Sequence, residues 1–257
     1  MPEASGRVVV VTGGASSLGL AIARRFARGG AATHALDADA EAVARLADEP
    51  DAIAGHRVDM LSPDAVTAAL AAIAAAHGEV DVLVNNVGLP GPRGPIEEVS
   101  IEEWTRTLTG SVGAAFYAAR CVIPGMKRRR SGAIINISTS STRTGLPLRT
   151  PYVTAKAALE GFTRNLAREL GAHNIRVNAV LPGPIDNARY LRIVQTLATE
   201  KGLDPAAAEA ELLRYFSMHS RIALEEVAEA VFFLASPAAP HVTGQCLAVD
   251  GNAEWEE

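Results

Sequence analysis

Val8-Val9-Val10-Val11-Thr12-Gly13-Gly14-Ala15-Ser16-Ser17-Leu18-Gly19 decides how the rest of this chain is read. Four valines in a row leave no polar face, as in a central parallel strand buried on both sides. Residues 18–28 then show helical spacing, so the glycine-rich segment lies where a strand turns into a helix. In such a turn, backbone amides and the helix N-terminus can approach a pyrophosphate closely. The same residues would also suit a tight strand-to-helix turn that holds nothing. Placement between strand and helix is what favours the ligand reading.

Outward from this stretch, short β-branched runs alternate with alanine- and leucine-rich segments. Strands are predicted over residues 33–36, 53–58, 81–84, 133–137, 175–180 and 246–249. Helices are predicted over 40–47, 63–77, from about 101, 151–172 and 225–235. Ser62 reads as an N-cap with Pro63 at the first helical position, and Ser100 with Glu103 as a capping box. Strands separated by helices of this length imply right-handed crossovers and a sheet covered on both faces. The expectation is one α/β, doubly wound Rossmann-type domain over residues 1–257, with a mostly or fully parallel seven-stranded sheet. Between 182 and 221 the alternation breaks, and residues from about 186 to 221 are expected to form a helical lid after the sixth strand.

Composition narrows the class. At 48% apolar, the 257 residues can bury a large core. A net charge of −5 argues against nucleic acid or an anionic membrane as the main partner. The basic run from Lys127 to Arg130 reads as a solvated helix end. Steering an acidic carrier protein is the other use it could have. Cys121 and Cys246 belong to no CxxC or His-rich cluster, so no metal is expected. Both thiols are expected as buried fillers in a reducing, cytoplasmic setting. The N-terminal stretch, with acidic Glu3, lacks the pattern of a signal peptide. Residues 65–76 are apolar but too few to span a bilayer.

Three side chains suggest chemistry. Asp37 ends the second strand, 18 residues after Gly19. A carboxylate there can bond adenosine ribose hydroxyls and would repel a 2′-phosphate, which favours NAD over NADP. Asp39 is placed to cap the helix that follows. Tyr152 and Lys156 stand at i, i+4 on a predicted helix and share a face. An ammonium beside a phenol stabilises the phenolate and draws its pKa toward neutrality.

Several further segments complete a pattern. They are Asp59 after the third strand, Asn85-Asn86-Val87-Gly88 after the fourth, Asn136-Ile137-Ser138-Thr139, residues 178–183, and Thr243-Gly244-Gln245 with Val249-Asp250-Gly251. With residues 12–19 and 152–156, they make the chain resemble the short-chain dehydrogenase/reductase family over nearly its whole length. That resemblance implies a cofactor site of Gly13, Ser16, Ser17, Leu18, Gly19, Asp37, Asp59, Met60, Asn86, Val87, Gly88, Pro182, Gly183 and Ile185, with Tyr152 and Lys156. Asp59 would meet the adenine, Asn86 to Gly88 would support sheet and cofactor, and Pro182, Gly183 and Ile185 would shape the nicotinamide pocket. Tyr152 would be the acid–base residue.

The chain departs from the family pattern at four places, all still polar. Ser17 replaces the second glycine of the phosphate turn. Thr139 stands thirteen positions before Tyr152, where the family has its catalytic serine, with Ser138 and Ser140 flanking it. Ser111 takes the place of an asparagine that anchors a water in the proton relay. Asn187 replaces a threonine that bonds the carboxamide. These read as tuned chemistry, with Ser111 and Thr139 serving beside Tyr152 and Lys156.

The reading that follows is an NAD-dependent oxidoreductase of secondary alcohols and ketones, with 3-oxoacyl thioester reduction as one option. Its rival is a non-catalytic NAD(H) sensor or structural subunit. Candidate substrate contacts are Ser140, Arg149 and Arg189. The many arginines in and around the lid leave an anionic substrate open, although surface charge on an amphipathic lid explains most of them. The family resemblance also implies a homotetramer.

Overall fold

The structure, a computed structural model, describes residues 4–253; Glu3 and the ends of the 1–257 span lie outside them. Seven strands form one sheet: β1 (Val8–Thr12), β2 (Ala32–Asp37), β3 (Ile53–Arg57), β4 (Val82–Asn85), β5 (Gly132–Ile137), β6 (Ile175–Pro182) and β7 (Cys246–Val249). Their order is β3-β2-β1-β4-β5-β6-β7, and every pairing is parallel. The order reverses between β1 and β4, so the crevice of a doubly wound sheet opens at their carboxyl ends.

Ten α-helices accompany the strands: α1 (Ser17–Arg28), α2 (Ala40–Arg45), α3 (Pro63–His77), α4 (Ile101–Leu108), α5 (Ala114–Arg129), α6 (Ser141–Thr144), α7 (Thr150–Leu170), α8 (Ala188–Lys201), α9 (Pro205–Leu213) and α10 (Leu224–Ala235). Alternate strand residues feed two cores, as the period of a pleat requires. Val9, Val11, Val84 and Ile135 pack with Ile22 and Phe26 of α1 and Val231 of α10. Val8, Val10, Leu83 and Ile134 pack with Leu70 and Ile73 of α3 and Met126 of α5 on the other side.

The predicted start signals act as expected. Ser62 Oγ accepts from Ala65 N, Ser100 and Glu103 form their reciprocal box, and Asp39 accepts from Glu41 N and Ala42 N. The helix expected from residue 101 is interrupted by a π turn, Thr109–Gly113, before α5 continues it. The lid region holds α8 and α9, which bury Tyr190, Val194, Ala198, Ala208 and Leu213 against each other. The basic run closes α5, where Lys127, Arg128 and Arg129 occupy the last turn. No helix among the described residues is long and apolar enough to cross a membrane.

The cysteine expectation needs correcting. Both thiols are free but only half-buried. Cys246 lies on the edge strand β7, which has a neighbour on one side only, and its Sγ accepts from Arg164 Nη1 at 3.5 Å.

A buried polar chain ties the sheet to α7. Asn85 Nδ2 donates to Asn136 Oδ1 at 2.8 Å, and Asn136 Nδ2 donates to Thr163 Oγ1 at 2.8 Å. Thr163 Oγ1 in turn donates to Leu159 O. Replacing Asn136 by leucine would orphan the buried Asn85 Nδ2, at about 1–3 kcal/mol, while Thr163 Oγ1 keeps Leu159 O. Asn136→Leu is therefore expected to lower Tm by at least about 2 °C in differential scanning calorimetry. An unchanged Tm would show that the chain contributes nothing.

Candidate functional site

The glycine-rich turn and the turn after β4 are clasped across the crevice. Thr12 Oγ1 accepts from Asn86 N and Val87 N at 3.0 and 3.1 Å, and Asn86 Nδ2 donates to Thr12 O and Gly13 O, both at 3.1 Å. Glycine is required at two positions by close approach. A Cβ on Gly19 would lie 1.8 Å from Gly13 O, and one on Gly14 would lie 2.8 Å from Ala35 Cβ. Ser17 adopts the left-handed conformation at φ +46, so it takes up the backbone shape of the glycine it replaces. That shape costs a non-glycine residue about 1 kcal/mol. Ser16 and Ser17 are exposed beside buried Leu18 and Gly19.

Asp37 is fixed above this turn: Oδ2 accepts from Ala15 N at 3.2 Å and Oδ1 from Asp39 N at 3.1 Å. Among the described residues it forms no ion pair. Asp59 is exposed, with Oδ1 accepting from Leu61 N. Met60 is buried with Val58 and Leu70, which leaves a nucleotide only its backbone to meet. On the far side of the crevice, Gly183 N donates to Val249 O, and a Cβ on Gly183 would lie 2.8 Å from Asp250 Cα. Pro182 is buried at the end of β6, and Ile185 bridges to Ile222.

Asn187 departs from its expected use. Its Oδ1 caps α8 by accepting from Tyr190 N, while Nδ2 donates to Ser17 Oγ at 3.4 Å. A residue at a helix N-cap position satisfies the helix first, so the start of α8 is stitched to the glycine-rich turn.

The strand β5 and the helix α7 bring the second cluster together. Lys156 Nζ, buried on α7, donates to Ile137 O at 2.6 Å. Burial, with Arg189 adding its charge, pulls this ammonium down to about 8. A Cβ on Gly88 would lie 2.7 Å from Lys156 Nζ and 3.7 Å from Ser111 Oγ, so these three residues meet at one point. Ser111 sits in the π turn, and its hydroxyl is buried without a partner. Bulges of that kind recur at functional sites because they push one side chain off the helical register.

The hydroxyl row after β5 resolves by partner. Ser138 Oγ donates to Glu160 Oε1 at 2.9 Å, with Lys156 O at 3.2 Å, so it locks β5 to α7. Ser140 is buried, and its N donates to Pro182 O. Thr139 Oγ1 accepts from Ser141 N and donates to Ser141 Oγ, both at 3.3 Å, so its partners are local and neither ties it to α7. Tyr152, one turn before Lys156, is flanked by guanidinium groups: Arg149 Cζ lies 5.5 Å and Arg189 Cζ 5.4 Å from its ring centroid. A separate concavity of about 430 Å³ at the β2–β3 edge, lined by Thr33, His34, Leu46, Ile53 and His77, shares none of these residues. Among the described residues no group of His, Cys, Asp and Glu is placed to hold a metal ion.

This geometry defines a doubly wound Rossmann-type protein with a polar cluster at the mouth of its switch-point crevice. Over residues 13–252 the sequence matches the family described as enoyl-(acyl carrier protein) reductase. It is 38% identical over 255 residues to D-xylose 1-dehydrogenase of Caulobacter vibrioides, covering 98% of this chain and 97% of that protein. It is 34% identical to a 3-oxoacyl-[acyl-carrier-protein] reductase of Chlamydia trachomatis, with 96% of each covered. The crystal structure of NAD+-bound xylitol dehydrogenase superposes with a TM-score of 0.90 at 28% identity, covering 97% of this chain and 100% of that one. The chain belongs to the short-chain dehydrogenase/reductase family and is an oxidoreductase of that family.

The buried ammonium has a thermodynamic signature. Lys156 is held below its ordinary 10.5 at about 8, so folding disfavours its charged form by roughly 3 kcal/mol. That cost is complete below pH 8 and fades as pH rises toward 10.5, because only the unfolded state then still binds the proton. Lys156→Met removes the cost but also leaves Ile137 O unpaired, a loss that does not depend on pH. The Tm difference, variant minus wild type, is expected to be more positive at pH 7 than at pH 10. A difference that stays constant over that range would contradict the assigned burial.

Proposed function

We propose that this protein transfers a hydride between NAD and a secondary alcohol or ketone carbon of a small molecule, with Tyr152 as general acid/base. The observation that carries the reading is the arrangement around Lys156. It is a buried ammonium one turn from Tyr152, anchored by Ile137 O, beside a Ser111 hydroxyl that has no partner among the described residues. A cation so placed stabilises a phenolate more strongly than it would in water.

In the oxidative direction, Tyr152 Oη takes the proton of the substrate hydroxyl. Thr139 Oγ1 donates to the same oxygen as charge builds on it. Lys156 holds the phenolate, and the free Ser111 Oγ positions a water that carries the proton onward. When bound, the nicotinamide accepts or supplies the hydride. The chain's own residues fit that group: the clasped turns and the close-packed Gly14 and Gly19 leave backbone free to approach a pyrophosphate. Asp37, free of any ion pair among the described residues, fits ribose hydroxyls and opposes a 2′-phosphate. The NAD+ held by the xylitol dehydrogenase of the same fold supports a nicotinamide at this crevice. The free Cys121 and Cys246 suit a reducing, cytoplasmic setting.

The test begins with NADH and NADPH titrated separately while nicotinamide fluorescence is followed. NADH is expected to bind at least about tenfold more tightly, a margin of about 1.4 kcal/mol. Tyr152→Phe is expected to keep that affinity and to lose about 100- to 10,000-fold in kcat. Preferred NADPH binding would overturn the role of Asp37. A Tyr152→Phe variant as active as the wild type would overturn the mechanism. NADH binding without turnover of any alcohol or ketone would favour a sensor.

The reading includes assembly as a homotetramer, supported by Phe116 on α5 and Leu247 on β7, large apolar side chains left exposed on the single chain. Light scattering after gel filtration is expected to give about four times the 26.8 kDa chain mass; a monomer at micromolar concentration would remove it.

A further inference from the structure

Around Tyr152 the positive charges lack a counterpart. Arg149 and Arg189 flank its ring, and neither forms an ion pair among the described residues. The groups acting electrostatically on Arg149 are Arg189 and Arg93, both cations, and the Tyr152 phenol; no carboxylate is among them. Burial first, and Arg189 second, holds the Arg149 guanidinium below its ordinary range. Arg93 pairs only loosely with Glu200, at 3.7 Å with both half exposed.

Placement on the helices sharpens the imbalance. Arg149 is the N-cap of α7, and Arg189 is the second residue of α8, whose first turn contains no acid. A cation at a helix N-terminus opposes the dipole, which favours anions there. Elsewhere the chain follows the rule: Arg25 and Arg28 close α1, and Lys127 to Arg129 close α5. Two guanidiniums, each carried at a helix N-terminus, thus flank one side chain.

Arg149 is also oriented. One Nη donates to Pro90 O at 2.8 Å, which fixes the fork, while its Nε is buried with no partner. A buried donor left unpaired is a cost that folds avoid unless a ligand meets it. Guanidinium forks match the paired oxygens of a carboxylate.

We infer that the substrate carries a carboxylate a few bonds from its reacting carbon, and that Arg149 and Arg189 hold it beside Tyr152. This rests on the hydride-transfer reading above. The carboxylate takes no part in bond making; it fixes the carbinol or carbonyl against Tyr152 and Thr139. The substrate class is therefore a short hydroxy acid or its oxo counterpart. One competing anion is internal to the reaction: Asn187 reaches Ser17, so the start of α8 adjoins the phosphate turn, and Arg189 could serve the cofactor pyrophosphate instead.

The experiment compares 2- and 3-oxo acids of three to six carbons with their methyl esters, using NADH and the wild type, Arg149→Gln, Arg189→Gln and double variants. In the wild type at least one acid is expected to exceed its ester by about 100-fold in kcat/KM, and in the double variant that ratio should fall below about 5, chiefly through KM. Separately, malonate is added to the cofactor-free protein and Tm is measured. A rise in the wild type that is absent from the double variant supports the clamp even if no oxidoreductase activity is found. Acids no better than esters, together with no malonate effect on Tm, overturn the proposal while leaving the cofactor reading intact. A loss of more than about tenfold in NADH affinity for Arg189→Gln with an unchanged acid-to-ester ratio overturns it as well, and assigns Arg189 to the pyrophosphate. Failure of NADH to bind the wild type strikes the hydride-transfer reading alone, since the malonate shift is read without cofactor.

Discussion

The polar chain from Asn85 through Asn136 to Thr163 is the constraint on which the site depends. It runs from two adjacent central strands into the middle of α7, inside an otherwise apolar core. Hydrogen bonds at such depth are directional where packing is not, so they fix the rotation and height of α7 against the sheet. The same helix carries Tyr152 and Lys156 one turn apart. With α7 fixed, Lys156 Nζ reaches Ile137 O and Ser138 Oγ reaches Glu160, which locks the helix to the strand end from which Thr139 emerges. Tyr152 and Lys156 are thus held by the core, and loops have little part in placing them.

A second economy lies at the crevice. Thr12 and Asn86 each bond across from the β1 turn to the β4 turn, which ties the glycine-rich loop to the turn that carries Gly88. Gly88, one step beyond Val87, then abuts both Lys156 and Ser111. Ser17 fits this frame at a small backbone cost, and Asn187 bridges it to the lid. Of the four substitutions that looked irregular in the sequence, Ser17 and Asn187 fall at a joint between rigid parts and bond each other there.

Electrostatics is arranged in layers. At the end of β2 stands a carboxylate, Asp37, with no cation against it among the described residues. Around Tyr152 the sign reverses, with the guanidiniums of Arg149 and Arg189 flanking its ring. Fixed charges in a crevice of low dielectric act over longer range than they would on an open surface. A ligand carrying matching charges would be oriented before any close contact forms.

By itself the sequence determined the elements and most of the cluster. Period and capping located the strands and helices to within a few residues, because those signals are local: Ser62, Asp39 and the Ser100–Glu103 box act on amides three residues away or fewer. The i, i+4 spacing of Tyr152 and Lys156 and the turn from residue 12 to 19 were equally legible. Tertiary structure alone decided the rest. That Ser138, and not Thr139, is tied to α7 depended on Glu160 and the α7 backbone, about twenty residues away. The capture of Asn187 by its own helix, the half-exposure of both thiols and the unpaired Nε of Arg149 also depended on distant neighbours. Burial and hydrogen-bond satisfaction are properties of what packs against a residue, and a linear pattern records only what stands beside it.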